Sequence, residues 1–149
     1  MQTFLPYPDF AASAAALDTR RLGKQRVEAL QVLRAITWPT YGWKRHPTVR
    51  MWAAHPEAVA AYGLAVCDEW VARGYADTCA RTISTDLATA GLAPPRSQSE
   101  LARLDRLPSW LGEPRLHDSH RAALVRKDPE HYRPHFPDAD PELPYHWPV

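Results

Sequence analysis

The chain has few of the features that reveal a chemistry by themselves. Its 149 residues include two cysteines, Cys67 and Cys79, which form no CxxC pair, so neither a zinc ribbon nor a dithiol redox centre is indicated. In an intracellular protein they are expected to be buried thiols. Glycine is scarce, at six residues, and no glycine-rich phosphate loop is present. No run of 18 apolar residues occurs, so no membrane span is expected. The N-terminus lacks a basic segment leading into an apolar one, and no secretion signal is expected. HExxH and GxSxG are absent, as are strand-type alternation of useful length and internal repeats.

Net charge is also small, at +1, which by itself argues against a strong polyanion binder. Its distribution is uneven. Residues 18–34 carry Arg20, Arg21, Lys24, Arg26 and Arg34 against Asp18 and Glu28, and residues 115–127 carry Arg115, Arg121, Arg126 and Lys127 against Asp118. An acidic C-terminal stretch, with Asp128, Glu130, Asp138, Asp140 and Glu142, offsets both in the total. Polyanion binding therefore stays open.

Proline is abundant, at 15 residues, and it punctuates the chain. Asp18 can cap a helix running to about Thr37, which Pro39 stops. Ala11–Leu17 is a preceding helical turn or part of the same helix. Residues 39–48 form an aromatic, basic loop, and Pro47 or Thr48 opens a short helix through Ala54. Pro56 opens a longer one over 56–73, with Val59, Tyr62, Val66, Trp70 and Val71 at helical spacing and Gly74 at its end. Asp77 can cap a helix to about Ala90. Residues 92–96 connect it to a short helix signalled by the Ser97/Glu100 capping box. His117–Lys127 reads as helical, Asp128-Pro129 opens another turn, and the stretch from Pro134 onward reads as extended. The expected fold is all-α: one domain over 1–149, a compact helical bundle with an extended, proline-rich tail, 134–149, packed on it.

The densest chemistry lies in Asp18–Glu28, with four cations and two carboxylates in eleven residues. At helical spacing Arg21, Lys24, Gln25 and Glu28 share one face, leaving Leu22, Ala29, Leu30 and Leu33 for packing. One reading is a solvated face with intrahelical ion pairs. The other is an anion site with a carboxylate beside it, since arginine forks suit phosphate oxygens and a glutamate can serve as acid, base or counter-charge. The loop Tyr41-Gly42-Trp43-Lys44-Arg45-His46-Pro47 interleaves aromatics with cations. That composition can stack bases while holding phosphates, or simply pack over a core. His117 with His120, and His131 with His135, have spacings that could share a metal. Asp118-Ser119-His120 has the residue types of a hydrolytic triad, but sequence neighbours cannot normally face one another as one.

His46-Pro47-Thr48-Val49-Arg50-Met51-Trp52, Tyr62-Gly63-Leu64 and Glu69-Trp70-Val71-Ala72-Arg73-Gly74-Tyr75, with the basic first helix, resemble the pyrimidine-dimer DNA glycosylase family over roughly residues 1–75. The His117–Tyr132 stretch resembles a bacterial branch of it. The resemblance implies a small, all-α, cofactor-free and metal-free protein, monomeric and cytoplasmic at the nucleoid, acting on double-stranded DNA with a damaged or modified base. It implies attack of the N-terminal amine on the sugar C1′, a Schiff base, and strand cleavage by β-elimination. An α-amine titrates near 8, so part of it is a free nucleophile at neutral pH, and a nearby carboxylate stabilises the sugar cation. In the family the acid directly follows an arginine. Here Arg20-Arg21 has no acid beside it, and the helical carboxylate available is Glu28. The bulky Gln2 is expected to leave Met1 in place. The expected catalytic residues are Met1, Glu28 and Arg21, and the expected DNA contacts are Arg20, Lys24, Gln25, Arg26, Tyr41, Trp43, Lys44, Arg45, His46, His120, Arg121 and Lys127. Two other readings stand beside this one: a binding module that recognises nucleic acid without cleaving it, and a metal-dependent or small-molecule enzyme built on His117, His120 and His131.

Overall fold

Prolines and acidic caps set most of the helix boundaries. A computed structural model describes residues 1–149, with α1 Phe10–Ala16, α2 Thr19–Thr37, α3 Pro47–Trp52, α4 Pro56–Ala72, α5 Cys79–Thr89, α6 Gln98–Arg103, α7 Pro114–Lys127 and α8 Pro129–Tyr132. No strand forms. Pro47, Pro56, Pro114 and Pro129 occupy the first turns of α3, α4, α7 and α8, where a missing N–H costs nothing. Asp9, Asp18, Ser97 and Asp128 accept backbone N–H groups at the starts of α1, α2, α6 and α8. The all-α expectation holds, with local corrections. Residues 10–16 form a separate helix, broken from α2 by extended Leu17 and Asp18. The helix expected from His117 begins earlier, at Pro114.

Helices α2 and α4 form the central pair, with α1 and α5 packed against them. Gly63 allows that approach: a Cβ there would stand 2.8 Å from Ile83 Cδ1 and 3.0 Å from Ala29 Cβ. Leu22, Leu33, Tyr62, Val66, Trp52 and Phe10 fill the core. Trp52 sits edge-on to Trp110 at 4.8 Å between ring centroids. Val71, expected on the apolar face of α4, is 55% exposed, while its neighbour Trp70 packs over Gly23 of α2. Gly74, at φ +94, closes α4 with the Tyr75 N–H bonded to Trp70 O and its own N–H to Val71 O. Cys67 is buried, Cys79 half-buried, and both are free thiols.

Residues 2–6 are buried although they belong to no helix or strand. Burying irregular backbone strands its polar groups unless side chains satisfy them. Here side chains from several helices do so. The stretch from Pro134, expected to be extended throughout, makes turns at 134–135, 137–138 and 141–142 and takes no regular structure from 143 onward. Phe136 is buried, Tyr145 and Trp147 are half-buried, and Arg126 binds the carbonyls of Pro141 and Leu143 at 2.7 and 2.6 Å.

Candidate active site

The site is built around that N-terminal segment. Gln25, one turn into the exposed half of α2 by sequence, is in fact buried, and its amide acts as a surrogate strand. Its Oε1 accepts the Phe4 N–H at 2.8 Å, and its Nε2 donates to Gln2 O at 2.9 Å. The same Nε2 donates to Glu28 Oε2 at 2.8 Å, and the Gln2 N–H donates to that oxygen at 3.1 Å. From α3, Thr48 Oγ1 donates to Met1 O at 3.3 Å and Trp52 Nε1 donates to Thr3 Oγ1 at 2.9 Å. From α4, the Tyr62 hydroxyl reaches Phe4 O at 2.9 Å. From α7, His120 Nδ1 accepts the Leu5 N–H at 2.9 Å, His117 Nδ1 donates to Leu5 O at 2.8 Å, and Arg121 donates to Pro6 O at 2.6 Å. Residues up to 115 positions apart thus hold six consecutive residues.

The segment delivers Met1 into a cleft of about 480 Å³ lined by Met1, Gln2, Phe4, Arg20, Arg21, Lys24, Gln25, Glu28, His46, Lys127, Tyr145 and Trp147. Four side-chain cations line it together with Met1 and a single carboxylate, that of Glu28. Its Oε2 is saturated by the two N–H donors already named. Its Oε1 faces Lys24 Nζ at 3.5 Å, and Lys24 is largely in solvent. One oxygen therefore orients the group and the other remains for chemistry. Arg21 is steadied by Asp18 at 3.1 Å and lies 3.9 Å from Asp128. Burial alone would raise the Asp18 pKa, but hydrogen bonds from Tyr132 and Arg21 outweigh it and bring the carboxyl below its usual range.

Opposite the cations stands an aromatic wall. Trp147 is edge-on to His46 at 6.2 Å, and Tyr145 is tilted against Trp147 at 5.3 Å. The His46 ring nitrogen Nδ1 accepts the Thr48 N–H at 3.2 Å, capping α3. Partial burial, and then the positive α-amine nearby, lower its pKa despite the opposing pull of Glu28, so the ring is neutral at pH 7.

Of the residues expected from sequence, the cleft gathers Met1, Glu28, Arg21, Arg20, Lys24, Gln25, His46 and Lys127. Gln25 is 1% exposed and spends all its polar atoms on the protein, so it holds the terminus rather than DNA. Arg26 does not line the cleft. It pairs with Asp77 at 2.5 Å and lies 4.3 Å over the Trp70 ring. Lys44 donates to the carbonyls of Ala35 and Trp38, closing the end of α2. Tyr41 packs edge-on against Trp38. His120 is fully buried, and burial pushes its pKa down to about 3. Arg121 is occupied by Pro6 O and Asp118. Each of these five side chains is thus engaged within the protein itself. Arg45 and Trp43 are exposed on the loop beside the cleft. Sequence reasoning missed Gln2, Phe4, Tyr145 and Trp147. The two tail aromatics, in a segment read as a mere extension, were the only available signal.

The histidine alternative finds no convergent ligands. His117 and His120 are spent on Leu5, His117 also accepts the Gly112 N–H, and no group of three or more His, Cys, Asp or Glu is placed to hold a metal. Ser119 donates to Leu116 O, so Asp118-Ser119-His120 makes no triad. No helix is long and apolar enough to cross a membrane.

An all-α scaffold thus brings the first residue of the chain and one carboxylate to a cleft lined by four cations. Residues 1–83 match the pyrimidine dimer DNA glycosylase family, and the chain belongs to that family. The match takes in the N-terminal segment, α2, the Trp43 loop, α3 and α4, and it ends within α5. No curated protein and no solved structure matches the chain.

Proposed function

We propose that the protein is a DNA glycosylase with lyase activity, and that the Met1 α-amine and Glu28 are its reacting pair. One observation carries this reading: Met1 and the cleft's only carboxylate line the same cavity, and the peptide N–H of Gln2, one residue from the amine, is bonded to Glu28. Arg20, Arg21, Lys24 and Lys127 hold phosphates on either side of the damaged nucleotide. The neutral amine attacks C1′. The C1′–N bond breaks, and the base leaves with the bonding electrons and takes a proton. Glu28 Oε1 balances the positive charge that develops on the sugar. Ring opening leaves an iminium between Met1 and C1′. Loss of a C2′ proton then expels the 3′ phosphate, cleaving the strand and leaving an unsaturated sugar that water releases from the amine.

Borohydride trapping tests the proposal on a duplex carrying a cyclobutane pyrimidine dimer, with mass spectrometry locating the adduct. A covalent complex on Met1 is expected. Glu28→Gln keeps an oxygen to accept from Gln2 and Gln25, so it should fold and bind but give no adduct. Absence of any adduct from the unaltered protein on lesion-bearing duplexes overturns the amine mechanism.

A further inference from the structure

Arg73 and Arg21 use their guanidinium groups in opposite ways. Arg73 spends all of its side-chain nitrogens on the protein. Its Nε donates to Glu69 at 2.9 Å, its Nη1 to Thr19 at 3.2 Å, and its Nη2 to the carbonyls of Ala14, Ala15 and Leu17 at 3.4, 3.3 and 2.7 Å. Arg21 spends one. Its Nη1 donates to Asp18 Oδ1 at 3.1 Å and stands 3.9 Å from Asp128 Oδ2, while Nε and Nη2 take no partner within the protein. That free edge is one that can hold two oxygens of a phosphate in parallel. The side chain is only 23% exposed, yet it lines the cleft.

The groups that fix this side chain come from α8. The Tyr132 hydroxyl donates to Asp18 Oδ1, the same oxygen that takes Arg21 Nη1, and it accepts the Asp18 N–H at 2.9 Å. Asp18 Oδ2 accepts the backbone N–H of Arg21 at 3.2 Å. Burial raises the Tyr132 pKa above its ordinary value, and the bond to Asp18 raises it further, so the hydroxyl remains a donor. The Tyr132 ring also lies under the guanidinium, with Arg21 Cζ 5.9 Å from its centroid. That ring is itself fixed, being fully buried and stacked on Phe136 at an interplanar angle of 2°. Capping α2 requires Asp18 alone. A ring face beneath Arg21, brought from 111 positions along the chain, serves the arginine rather than the cap.

We propose that Tyr132 is a positioning residue: through Asp18 and through its own ring face it sets the Arg21 guanidinium so that Nε and Nη2 meet one phosphate of the bound strand. The proposal rests on the reading of the cleft as a DNA site. A guanidinium fixed before binding gives up little side-chain freedom when the phosphate arrives. Tyr132 lies outside the matched residues 1–83, so the later part of the chain completes the phosphate end of the cleft.

A double-mutant cycle tests this, read as binding to a duplex that holds one reduced abasic site, which cannot form an imine. Tyr132→Phe keeps the ring that fills the core and removes only the hydroxyl. It is compared with the unaltered protein, Arg21→Met and the double variant at salt concentrations from about 50 to about 200 mM, with folding checked by circular dichroism. Arg21→Met should weaken binding roughly 10- to 100-fold and lower the salt slope by about one. Tyr132→Phe should weaken it roughly 3- to 10-fold, keep the salt slope because the charge remains, and add nothing in the Arg21→Met background. Arg21→Lys, which keeps the charge without the fork, should resemble Tyr132→Phe. Unchanged binding by Tyr132→Phe would overturn the proposal. So would an equal loss with and without Arg21, because Tyr132 would then act on the fold at large. If Arg21→Met binds like the unaltered protein, the phosphate role of Arg21 falls and its positioning with it, while borohydride trapping still judges the amine chemistry. Failure of the unaltered protein to bind the duplex would count against the DNA reading itself, and the proposal would fall with it.

Discussion

Replacing Gln25 with methionine should loosen the N-terminus without emptying the core. The two side chains have similar length and volume, so little cavity forms. Four polar contacts disappear: Phe4 N at 2.8 Å, Gln2 O at 2.9 Å, Glu28 Oε2 at 2.8 Å and the Tyr62 hydroxyl at 2.7 Å. Two of those partners have substitutes. Tyr62 keeps Phe4 O, and Glu28 keeps the Gln2 N–H and Lys24. Phe4 N–H and Gln2 C=O have none and are left buried. An orphaned buried group costs about 1–3 kcal/mol, so the pair should cost about 2–5 kcal/mol, allowing for some relaxation. That is a large fraction of the ~5–15 kcal/mol that holds a typical domain together. Urea denaturation followed by circular dichroism should show the midpoint falling by roughly 1–2 M with an unchanged slope. Trapping of the folded variant should also slow, because the amine and Glu28 would no longer share a rigid frame. A stability loss below about 0.5 kcal/mol, or a normal trapping rate in the destabilised variant, would refute the idea that Gln25 positions the amine.

Two further outcomes follow from the same geometry. Acid should unfold the protein early. Burial lowers the pKa of His117, and that of His120 to about 3, so below the ordinary histidine range the unfolded chain binds protons that the folded one refuses. Stability should therefore fall as pH drops below about 6.5, by up to about 1.4 kcal/mol per pH unit for His120 down to about 3, with His117 adding to the loss in the same direction, the slope being measured by denaturation across that range. A flat profile would contradict the neutral His117/His120 clamp on Leu5. Arg26 and Lys24, both once candidates for phosphate, should separate. Arg26→Met breaks a mostly buried pair with Asp77 and should cost about 2–4 kcal/mol of stability while leaving the salt dependence of DNA binding unchanged. Lys24→Met should leave stability nearly intact and reduce the salt slope by roughly one.

How much of this was legible in the sequence follows from the range of the interactions. Helix α2 could be read to its ends because its signals are local: Asp18 caps it and Pro39 ends the helical stretch. The Pro47 and Pro56 starts were equally plain. The polar face of α2 was also read correctly as one face, but its division was not. Arg20 and Lys24 reach solvent while Gln25 and Glu28 are buried, and what buries them is a segment more than twenty residues away in the chain. Helical periodicity carries no information about such a partner. The roles of His117, His120 and Arg121 were hidden for the same reason. A histidine that accepts a backbone N–H from across the fold has the same letters around it as a ligand or a DNA contact. The tail aromatics fall outside any periodic pattern, so Tyr145 and Trp147 could be placed only by the fold.

The position of Glu28 along α2 has a physical reading under the proposed function. Arg21 and Glu28 are seven residues apart, two helical turns, so they share a face at a separation of roughly 10 Å along α2. At the Arg21 end the cleft meets Lys127 and the Asp18–Tyr132 cluster. At the Glu28 end it meets Met1, Gln2 and His46. A carboxylate directly after Arg21 would stand at Leu22, which is fully buried in the core, where an unpaired charge is costly. Glu28, two turns on, instead sits against the Gln2 peptide, next to the amine proposed as the nucleophile. Cation and acid are then spaced to meet a phosphate and its neighbouring sugar, rather than competing for the same atom. On the proposed reading the same helix grips the strand with one end and reacts with it at the other, which requires the N-terminal segment to be held as tightly as Gln25, Thr48, Tyr62 and the two α7 histidines hold it.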